Sequence, residues 1–306
     1  MIKYLIGIDG GGTKTEICAI TIDGLIIDEV ITGPGSAAVT TEKIVWNDIA
    51  KGIDELLSKI DSLKYQLIYI GMGLSAYSIL ESIDDVKKKF QEKYKVSVDI
   101  NSDTVIALHS VLQDKYDNGI VVVSGTGVAI YGQNGPSTAL IGGWGHIIRE
   151  LGSSYAAVHH FGLRIIDNME DNMPLTSLET SFLNLLHEHN IKDLKHLFYF
   201  HSKTEIASFV VFLKDEATKG NEEAKDLLKQ EGAYLAIQVL KAIKKLNLST
   251  NYVIGLRGGF VQKNSRDVIE GFSKVLRDNN ICAPIITDDT QPIMGCYYYA
   301  KKEKRI

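Results

Sequence analysis

The segment 6–15 constrains this chain more than any other. It reads Ile-Gly-Ile-Asp-Gly-Gly-Gly-Thr-Lys-Thr and overlaps an apolar strand that we expect over residues 4–8. Three consecutive glycines permit a tight turn and let backbone N–H groups approach a ligand unobstructed, which suits phosphate oxygens. A second predicted strand follows over residues 15–22, whereas a Walker A loop has another glycine spacing and a helix after it. We therefore predict a β-hairpin whose turn binds phosphate, rather than an ordinary glycine-rich hairpin turn.

The first third of the chain alternates strands with helices after an opening meander. Strands are predicted over residues 3–8, 15–22 and 25–31, and Asp23-Gly24 is a strong hairpin signal between the last two. Apolar spacing and turn signals then predict a helix over 41–60, a strand over 67–72, a helix over 83–94, a strand over 96–100 and a helix over 104–112. This order indicates an α/β layer with a mixed sheet.

The same pattern restarts near residues 116–117. Strands predicted over 119–124, 128–131 and 138–141 surround the turn Gly125-Thr126-Gly127 and a second turn. Residues after Gly152 are predicted to be largely helical to about 246, followed by a strand over 252–256, Gly258-Gly259 and a helix over 265–278. The sequence therefore predicts two weakly similar halves, residues 1–116 and 117–306, and each opens with a hairpin whose turn binds phosphate.

Composition excludes several classes of function. The net charge of −5 argues against a nucleic-acid surface, which is normally basic. Cys18, Cys282 and Cys296 form no Cys-x-x-Cys pair, which argues against a zinc or redox motif. The N-terminus lacks the pattern of a signal peptide, and no apolar run approaches the roughly 18 residues of a membrane span. We expect a soluble cytoplasmic protein with no nucleic-acid or membrane partner.

Taken together, these motifs resemble the actin/hexokinase/heat-shock-70 superfamily of ATPases. More narrowly, residues 9–15, Ser124-Gly125-Thr126-Gly127 and Gly142-Gly143-Trp144-Gly145-His146 are similar to the N-acetylglucosamine kinase group of the BadF/BadG/BcrA/BcrD ATPase family. The resemblance implies an α/β fold of two ribonuclease-H-like lobes, each a mixed sheet with flanking helices, around a central nucleotide and sugar cleft. It makes the last helix a candidate for returning to the N-terminal lobe, and it implies a homodimer.

The resemblance also implies an activity, namely ATP-dependent phosphorylation of a hydroxyl of a small amino sugar, with ATP and Mg²⁺ as cofactors. Asp9, at the end of the first strand, would hold Mg²⁺, which takes few carboxylates and keeps several waters. The nucleotide phosphates would be bound by Gly11, Gly12, Thr13, Lys14, Gly125, Thr126 and Gly127. Gly258 and Gly259 resemble the segment that lies against adenosine in the family.

Asp103 is the predicted general base. It follows the predicted strand over 96–100, which places its carboxylate at the carboxyl end of a strand, where ligands of α/β sheets bind. Asp is also a favoured helix N-cap, and a helix N-terminus keeps a carboxylate ionised. The two roles are compatible. Because the catalytic Asp of the family falls at this position, the resemblance implies that Asp103 accepts the proton of the sugar hydroxyl.

The sugar is expected to contact Ser36, Asp103, Gly143, Trp144 and Glu150. Trp144 offers an aromatic face between glycines, which suits a sugar because a sugar has apolar and polar faces. Glu150 aligns with the sugar-binding Asp of the family.

Three departures from the family surround the expected sugar. Ala37 stands where the family usually has Asn, and Val128 stands where it has Ser. Arg149-Glu150-Leu151-Gly152 stands where it has Gly-Asp-Glu-Gly. These changes remove polar contacts to N-acetylglucosamine, and Arg149 favours a sugar that bears a carboxylate.

Several functions stay open at this point. Glucosamine, N-acetylmuramic acid or another hexose are alternative substrates of a kinase. An ATPase activator of a dehydratase would need cysteines that ligate an iron–sulfur cluster, and the cysteines here match no such loop. A non-catalytic sugar sensor is the third hypothesis, although the retention of both Asp9 and Asp103 favours turnover.

Overall fold

The structure is a computed structural model that describes residues 1–186, 191–262, 266–288 and 290–306, with only the backbone of 191–193. The first part of the chain forms β1 (Ile2–Gly10), β2 (Thr15–Thr21), β3 (Ile26–Thr32), α1 (Glu42–Lys59), β4 (Tyr65–Leu74), a 3₁₀-helix (Tyr77–Ile79), α2 (Ile83–Tyr94), β5 (Ser97–Ser102) and α3 (Asp103–Leu112). The second part forms β6 (Asn118–Ser124), β7 (Val128–Asn134), β8 (Ser137–Gly142), α4 (Ser154–Glu170), α5 (Ser177–Leu185), α6 (Ile191–Phe200), α7 (Lys203–Ser208), α8 (Val210–Thr218), α9 (Glu222–Leu246), β9 (Tyr252–Arg257), α10 (Arg266–Asp278), β10 (Ile285–Ile286) and α11 (Met294–Lys302).

These elements form two compact units. The first contains Met1–Val121 and Asp288–Ile306, and the second contains Val122–Thr287. The last helix, α11, therefore belongs to the first unit. The sequence-based boundary near residues 116–117 precedes β6, whereas the boundary between the compact units lies within β6.

The first unit is built on a five-stranded mixed sheet in the order β3-β2-β1-β4-β5. The strands β1, β2 and β3 pair antiparallel as a meander, and β4 and β5 continue the sheet in parallel to β1. The carboxyl ends of β1, β4 and β5 therefore meet at one edge of the sheet. Functional side chains that follow these strands are brought to that edge.

Alternation of apolar side chains in β1 explains why helices cover both faces of this sheet. Tyr4, Ile6 and Ile8 belong to a core that includes buried residues of α1 and α2, whereas Leu5 packs with Cys296 and its neighbours in α11. Successive side chains of a strand point to opposite faces, so an uninterrupted apolar run requires cover on both. Cys18 is buried in the same core as Leu5, as expected for a small apolar residue.

The second unit is built on a five-stranded mixed sheet in the order β10-β9-β6-β7-β8. Its long helix α9 packs against α10, β7 and β8. Glycines permit the close crossing of α9 and α10, since a Cβ on Gly232 would lie 2.0 Å from the Val268 oxygen and a Cβ on Gly271 would lie 2.0 Å from the Lys229 oxygen. The helix α9 thereby provides a fixed support for the loop that precedes α4.

The predicted fold class is confirmed, since both units are α/β and each contains a mixed sheet with flanking helices. The predicted helix over 83–94 has the bounds of α2, and the predicted helical region after Gly152 divides into the helices α4 to α9. The predicted start of the helix over 265–278 lies outside the described residues, and α10 is described from Arg266. Among the described helices, none combines the length and the apolar character needed to cross a membrane.

Candidate active site

The first glycine-rich turn is an open hairpin loop. Gly10 and Thr15 form the last pair of β1 and β2, and the Gly11 N–H donates to the Lys14 oxygen at 2.9 Å. Gly12 and Thr13 are exposed, and in the described part of the chain no acceptor meets their N–H groups. Two donors in an open turn therefore face solvent, which is the arrangement that binds oxyanions.

A cavity of about 200 Å³ lies on this turn, and its lining combines donors with carboxylates. The lining residues are Asp9, Gly11, Gly12, Thr13, Lys14 and Glu16. Lys14 forms an exposed ion pair with Glu16. The structure thus gathers all the first-loop residues that the sequence predicted for metal and phosphate around one cavity.

The segment 33–36 fixes the turn from the side. The Gly35 N–H donates to the Gly11 oxygen at 2.9 Å, and the Thr15 hydroxyl donates to the Gly33 oxygen at 2.8 Å. A Cβ on Gly35 would lie 2.5 Å from the Gly10 Cα, so only glycine fits between these two backbones. The predicted sugar-contact residue Ser36 follows directly and is buried.

Asp9 and Asp103 lie at the same edge of the first sheet. In the strand register Asp9 pairs with Gly73, and Gly73 pairs with Asn101, two residues before Asp103. A Cβ on Gly73 would lie 3.4 Å from the Asp103 Cα, so this glycine permits a close approach between β4 and the start of α3. The predicted metal ligand and the predicted base are therefore neighbours within one unit.

Both carboxyl groups at this edge have raised pKa values. Burial, followed by the negative charges of Asp103 and Glu16, raises the pKa of the Asp9 carboxyl to about 7, and Lys14 opposes the rise. Burial also raises the pKa of Asp103, against the Thr104 N–H that donates to its carboxylate. Burial is the main cause of both shifts, so it disfavours the charged form of each carboxyl group, and a nearby positive charge would favour that form.

The helix cap beside Asp103 differs from the expectation. Ser102 is the N-cap of α3, and its hydroxyl accepts from the Val105 N–H. The alternative role of Asp103 as the helix cap is therefore not observed, because the hydroxyl one residue earlier takes that position. Asp103 is the first residue of α3, so its carboxylate is not required by the cap.

The second unit brings the second glycine turn and the predicted adenosine segment together. Gly125 closes the turn by donating to the Gly127 oxygen at 2.9 Å. Gly258 has φ +99°, and a Cβ there would lie 2.4 Å from the Ser124 oxygen. The Phe260 N–H donates to that same oxygen at 3.0 Å. The predicted residues 125–127 and 258–259 thus form one continuous backbone surface.

The Glu150 side chain is buried beside the second turn and has two partners. Its carboxylate accepts from the Val128 N–H at 2.7 Å and from the Lys203 ammonium at 2.6 Å. The loop that carries Glu150 is held in turn by α9, since the Gly152 N–H donates to Glu231 at 2.8 Å. In this arrangement Glu150 contacts the base of the phosphate turn, and its predicted contact with the sugar stays a prediction.

Trp144 projects from a loop of left-handed glycines. Gly142, Gly143 and Gly145 all have positive φ, and Trp144 is 66 % exposed. Trp144 lines a pocket of about 230 Å³ together with Arg149 and residues of β8 and α9, namely Leu140, Ile141, Gly142, Gln238, Lys241 and Lys245. The pocket contains three cations, Arg149, Lys241 and Lys245, and none of them has an acidic partner in the part of the chain that the structure describes.

Two lysines at this site were missed by sequence reasoning. Lys203 begins α7 and lies against the second turn, and Lys214 of α8 donates to the Gly259 and Phe260 oxygens at 3.2 and 3.3 Å. Burial lowers the pKa of Lys214 to about 8. Both residues lie in helices far along the chain from their partners, and neither belongs to a local motif.

The cysteines show no metal-site grouping. Cys18, Cys282 and Cys296 are free, and only Cys282 is exposed. Across the described residues, no three His, Cys, Asp or Glu side chains are placed to hold a metal ion together.

Comparison with known proteins places the chain among ATPases and sugar kinases. The sequence profile of the BadF/BadG/BcrA/BcrD ATPase family matches residues 6–295. An N-acetylmuramic acid/N-acetylglucosamine kinase of Clostridium acetobutylicum is 29% identical over 312 residues, covering 99% of each chain. An N-acetyl-D-glucosamine kinase of Dictyostelium discoideum is 25% identical, again covering 99% of each chain. A Chromobacterium violaceum crystal structure, named as a candidate N-acetylglucosamine kinase, superposes with a TM-score of 0.70 at 18% identity, covering 97% of this chain and 98% of that one.

Proposed function

Because the chain belongs to the BadF/BadG/BcrA/BcrD ATPase family, we propose that it is an ATP-dependent kinase of an amino sugar. The observation that carries the proposal is the sheet edge of the first unit. There Asp9, Asp103 and the free N–H groups of Gly12 and Thr13 lie beside one another. Phosphoryl transfer requires positioning, charge stabilisation and a base for the acceptor hydroxyl, and this edge supplies all three.

Asp9 is the proposed magnesium ligand. Mg²⁺ uses one or two carboxylates together with water and substrate phosphates, so it fits a site with a single strand-end Asp and no larger ligand cluster among the described residues. The pKa of the Asp9 carboxyl is raised mainly by burial and then by the charges of Asp103 and Glu16, and a bound Mg²⁺ would favour its ionised form. When bound, the ion would neutralise charge on the phosphates.

Asp103 is the proposed general base. Its carboxylate is free of the cap of α3 and lies on the edge that also carries Asp9. It accepts the proton of the sugar hydroxyl as that oxygen attacks the terminal phosphate of ATP. Ser36, beside the first turn, is the proposed sugar contact from the same unit, and Gly143, Trp144 and Glu150 are the proposed contacts from the second unit.

The nucleotide is proposed to use both glycine turns. Gly11, Gly12, Thr13 and Lys14 bind phosphate in the first unit, and Gly125, Thr126 and Gly127 bind phosphate in the second. The surface made by Gly258 and Gly259 accepts adenosine, since it presents backbone without side chains.

The sugar is proposed to be N-acetylglucosamine or, preferentially, an acidic relative such as N-acetylmuramic acid. The relative from Clostridium acetobutylicum is named for both sugars. The pocket beside Trp144 adds Arg149, Lys241 and Lys245, and these cations lack acidic partners in the described chain. A carboxylate on the sugar would pair with Arg149 in two-point fashion.

The direct test is a screen of sugar-dependent ADP release. Purified protein with ATP and Mg²⁺ is assayed with N-acetylglucosamine, N-acetylmuramic acid, glucosamine and glucose. The proposal predicts that an N-acetylated amino sugar gives the fastest release. ADP release at the same rate with and without every sugar would contradict the proposal and would favour an ATPase. A protein that binds nucleotide but releases no ADP would favour a sensor.

Two further proposals concern location and assembly. An ATP-dependent kinase needs a compartment that contains ATP, and we propose that the reaction takes place in the cytoplasm. We also propose a homodimer, and light scattering on the purified protein distinguishes a dimer from a monomer.

A further inference from the structure

Lys203 occupies an unusual place on the second phosphate turn. Its ammonium lies 2.5 Å from the position that a Cβ on Gly127 would take. A side chain at position 127 would therefore displace the lysine, which gives this glycine a role besides its turn conformation. Lys203 is 76 positions beyond Gly127 in the chain, and it reaches the turn because it is the first residue of α7.

The position of Lys203 is fixed by a buried carboxylate. Glu150 is 4% exposed at its side chain, and it joins the Lys203 ammonium to the Val128 N–H, the first backbone donor after the turn. Burial of a carboxylate this complete requires a charged partner. The Lys203 side chain is 25% exposed, and Glu150 is the one acceptor found for it among the described residues. An ammonium has three donors, so two stay available on the open side.

From these contacts we infer that Lys203 is a phosphate-binding residue. Its ammonium, oriented by Glu150, donates to an oxygen of a phosphoryl group bound by the turn of residues 125–127. The inference rests on the proposed use of this turn for nucleotide phosphates.

The test measures ADP affinity by calorimetry without sugar. Lys203→Met is compared with Lys203→Arg and with the control Lys225→Met, whose side chain is equally exposed at 25% and is likewise paired with a carboxylate. A charge-assisted contact predicts that Lys203→Met weakens ADP binding about 10- to 100-fold. Lys203→Arg should recover most of the affinity, Lys225→Met should keep it, and adenosine, which lacks phosphate, should bind all four proteins alike.

Loss of folding is separated from loss of binding by a double variant. Lys203→Met leaves Glu150 buried without its cation, whereas Glu150→Gln with Lys203→Met keeps an acceptor for the Val128 N–H and removes the charge. A double variant that melts like the wild type but binds ADP weakly supports the inference. Wild-type ADP affinity in folded Lys203→Met overturns the inference. So does a Lys203→Met protein that binds the phosphorylated sugar more weakly but binds ADP as the wild type does. If no sugar is phosphorylated, the ADP result still decides the role of Lys203.

Discussion

Asp103 is the first residue of α3, but Ser102 caps this helix. A substitution of Asp103 can therefore test its catalytic role without removing the cap. Because Ser102 takes the cap, Asp103→Asn should leave α3 intact. We predict that the variant binds ATP normally but turns over sugar about 10²–10⁴-fold more slowly, the usual contribution of a general base. Asp84→Asn, in the first turn of α2, is the matched control and should keep full activity. Wild-type turnover in Asp103→Asn would place the base elsewhere.

Asp9 should behave differently from Asp103 because it is the proposed metal ligand. We predict that Asp9→Asn lowers turnover and raises the Mg²⁺ concentration needed for half-maximal rate. Asp103→Asn should lower turnover at an unchanged Mg²⁺ requirement. Titration of Mg²⁺ at saturating ATP checks the difference, and an unchanged requirement in Asp9→Asn would contradict the assignment.

Arg149 tests the preference for an acidic sugar. We predict that Arg149→Gln raises the KM for N-acetylmuramic acid about 10- to 100-fold, the value of a charge-assisted contact, and leaves the KM for N-acetylglucosamine nearly unchanged. Lys244→Gln, on α9 but outside the lining of the Trp144 pocket, is the control. Equal effects of Arg149→Gln on the KM values of both sugars would show that the arginine does not bind the sugar carboxylate.

Among the elements, the backbone surface that is proposed to accept adenosine depends on Gly258. We predict that Gly258→Ala lowers the free energy of unfolding by about 2 kcal/mol or more, because its positive φ strains alanine and the added methyl meets the Ser124 oxygen. Gly135→Ala has positive φ but open space, so it isolates the backbone contribution. Denaturant unfolding of the two variants checks the prediction. Equal destabilisation would mean that the contact with β6 adds nothing.

Elements with strong local patterns could be predicted from the sequence. The helix α2 was predicted with its observed bounds because its apolar spacing and charged face are clear, and β1 was clear from its apolar run. The two-residue strand β10 is too short to leave a pattern. The helix α11 contains three consecutive tyrosines, Tyr297, Tyr298 and Tyr299, which form no periodic stripe. The sequence therefore predicts no bounds for this helix.

The site follows the same division between local and distant signals. Asp9, the glycine turns and Asp103 lie in short motifs, and the structure gathers them as neighbours within each unit. Lys203 and Lys214 reach their turns only through the packing of α7 and α8, which no short motif encodes. The contact of Glu150 with Lys203 joins residues 53 positions apart, so sequence reasoning assigned Glu150 to the sugar alone.

Across the whole molecule, the two glycine turns that are proposed to bind one nucleotide belong to different units. We therefore predict that an ATP analogue and sugar together draw the two units closer, which excludes water during transfer. Small-angle scattering should report a smaller radius of gyration with both ligands, and adenosine alone should leave the radius unchanged. An unchanged radius of gyration in the presence of both ligands would count against closure.

The reaction proposed for this chain is the transfer of the terminal phosphate of ATP to an amino sugar. The most direct measurement follows γ-labelled ATP in the presence of Mg²⁺ and N-acetylglucosamine or N-acetylmuramic acid. We expect the label to become covalently attached to the sugar, and this labelled product to be lost on removal of Mg²⁺ and strongly reduced in Asp103→Asn. Label that appears only as inorganic phosphate, at the same rate with and without sugar, would contradict it.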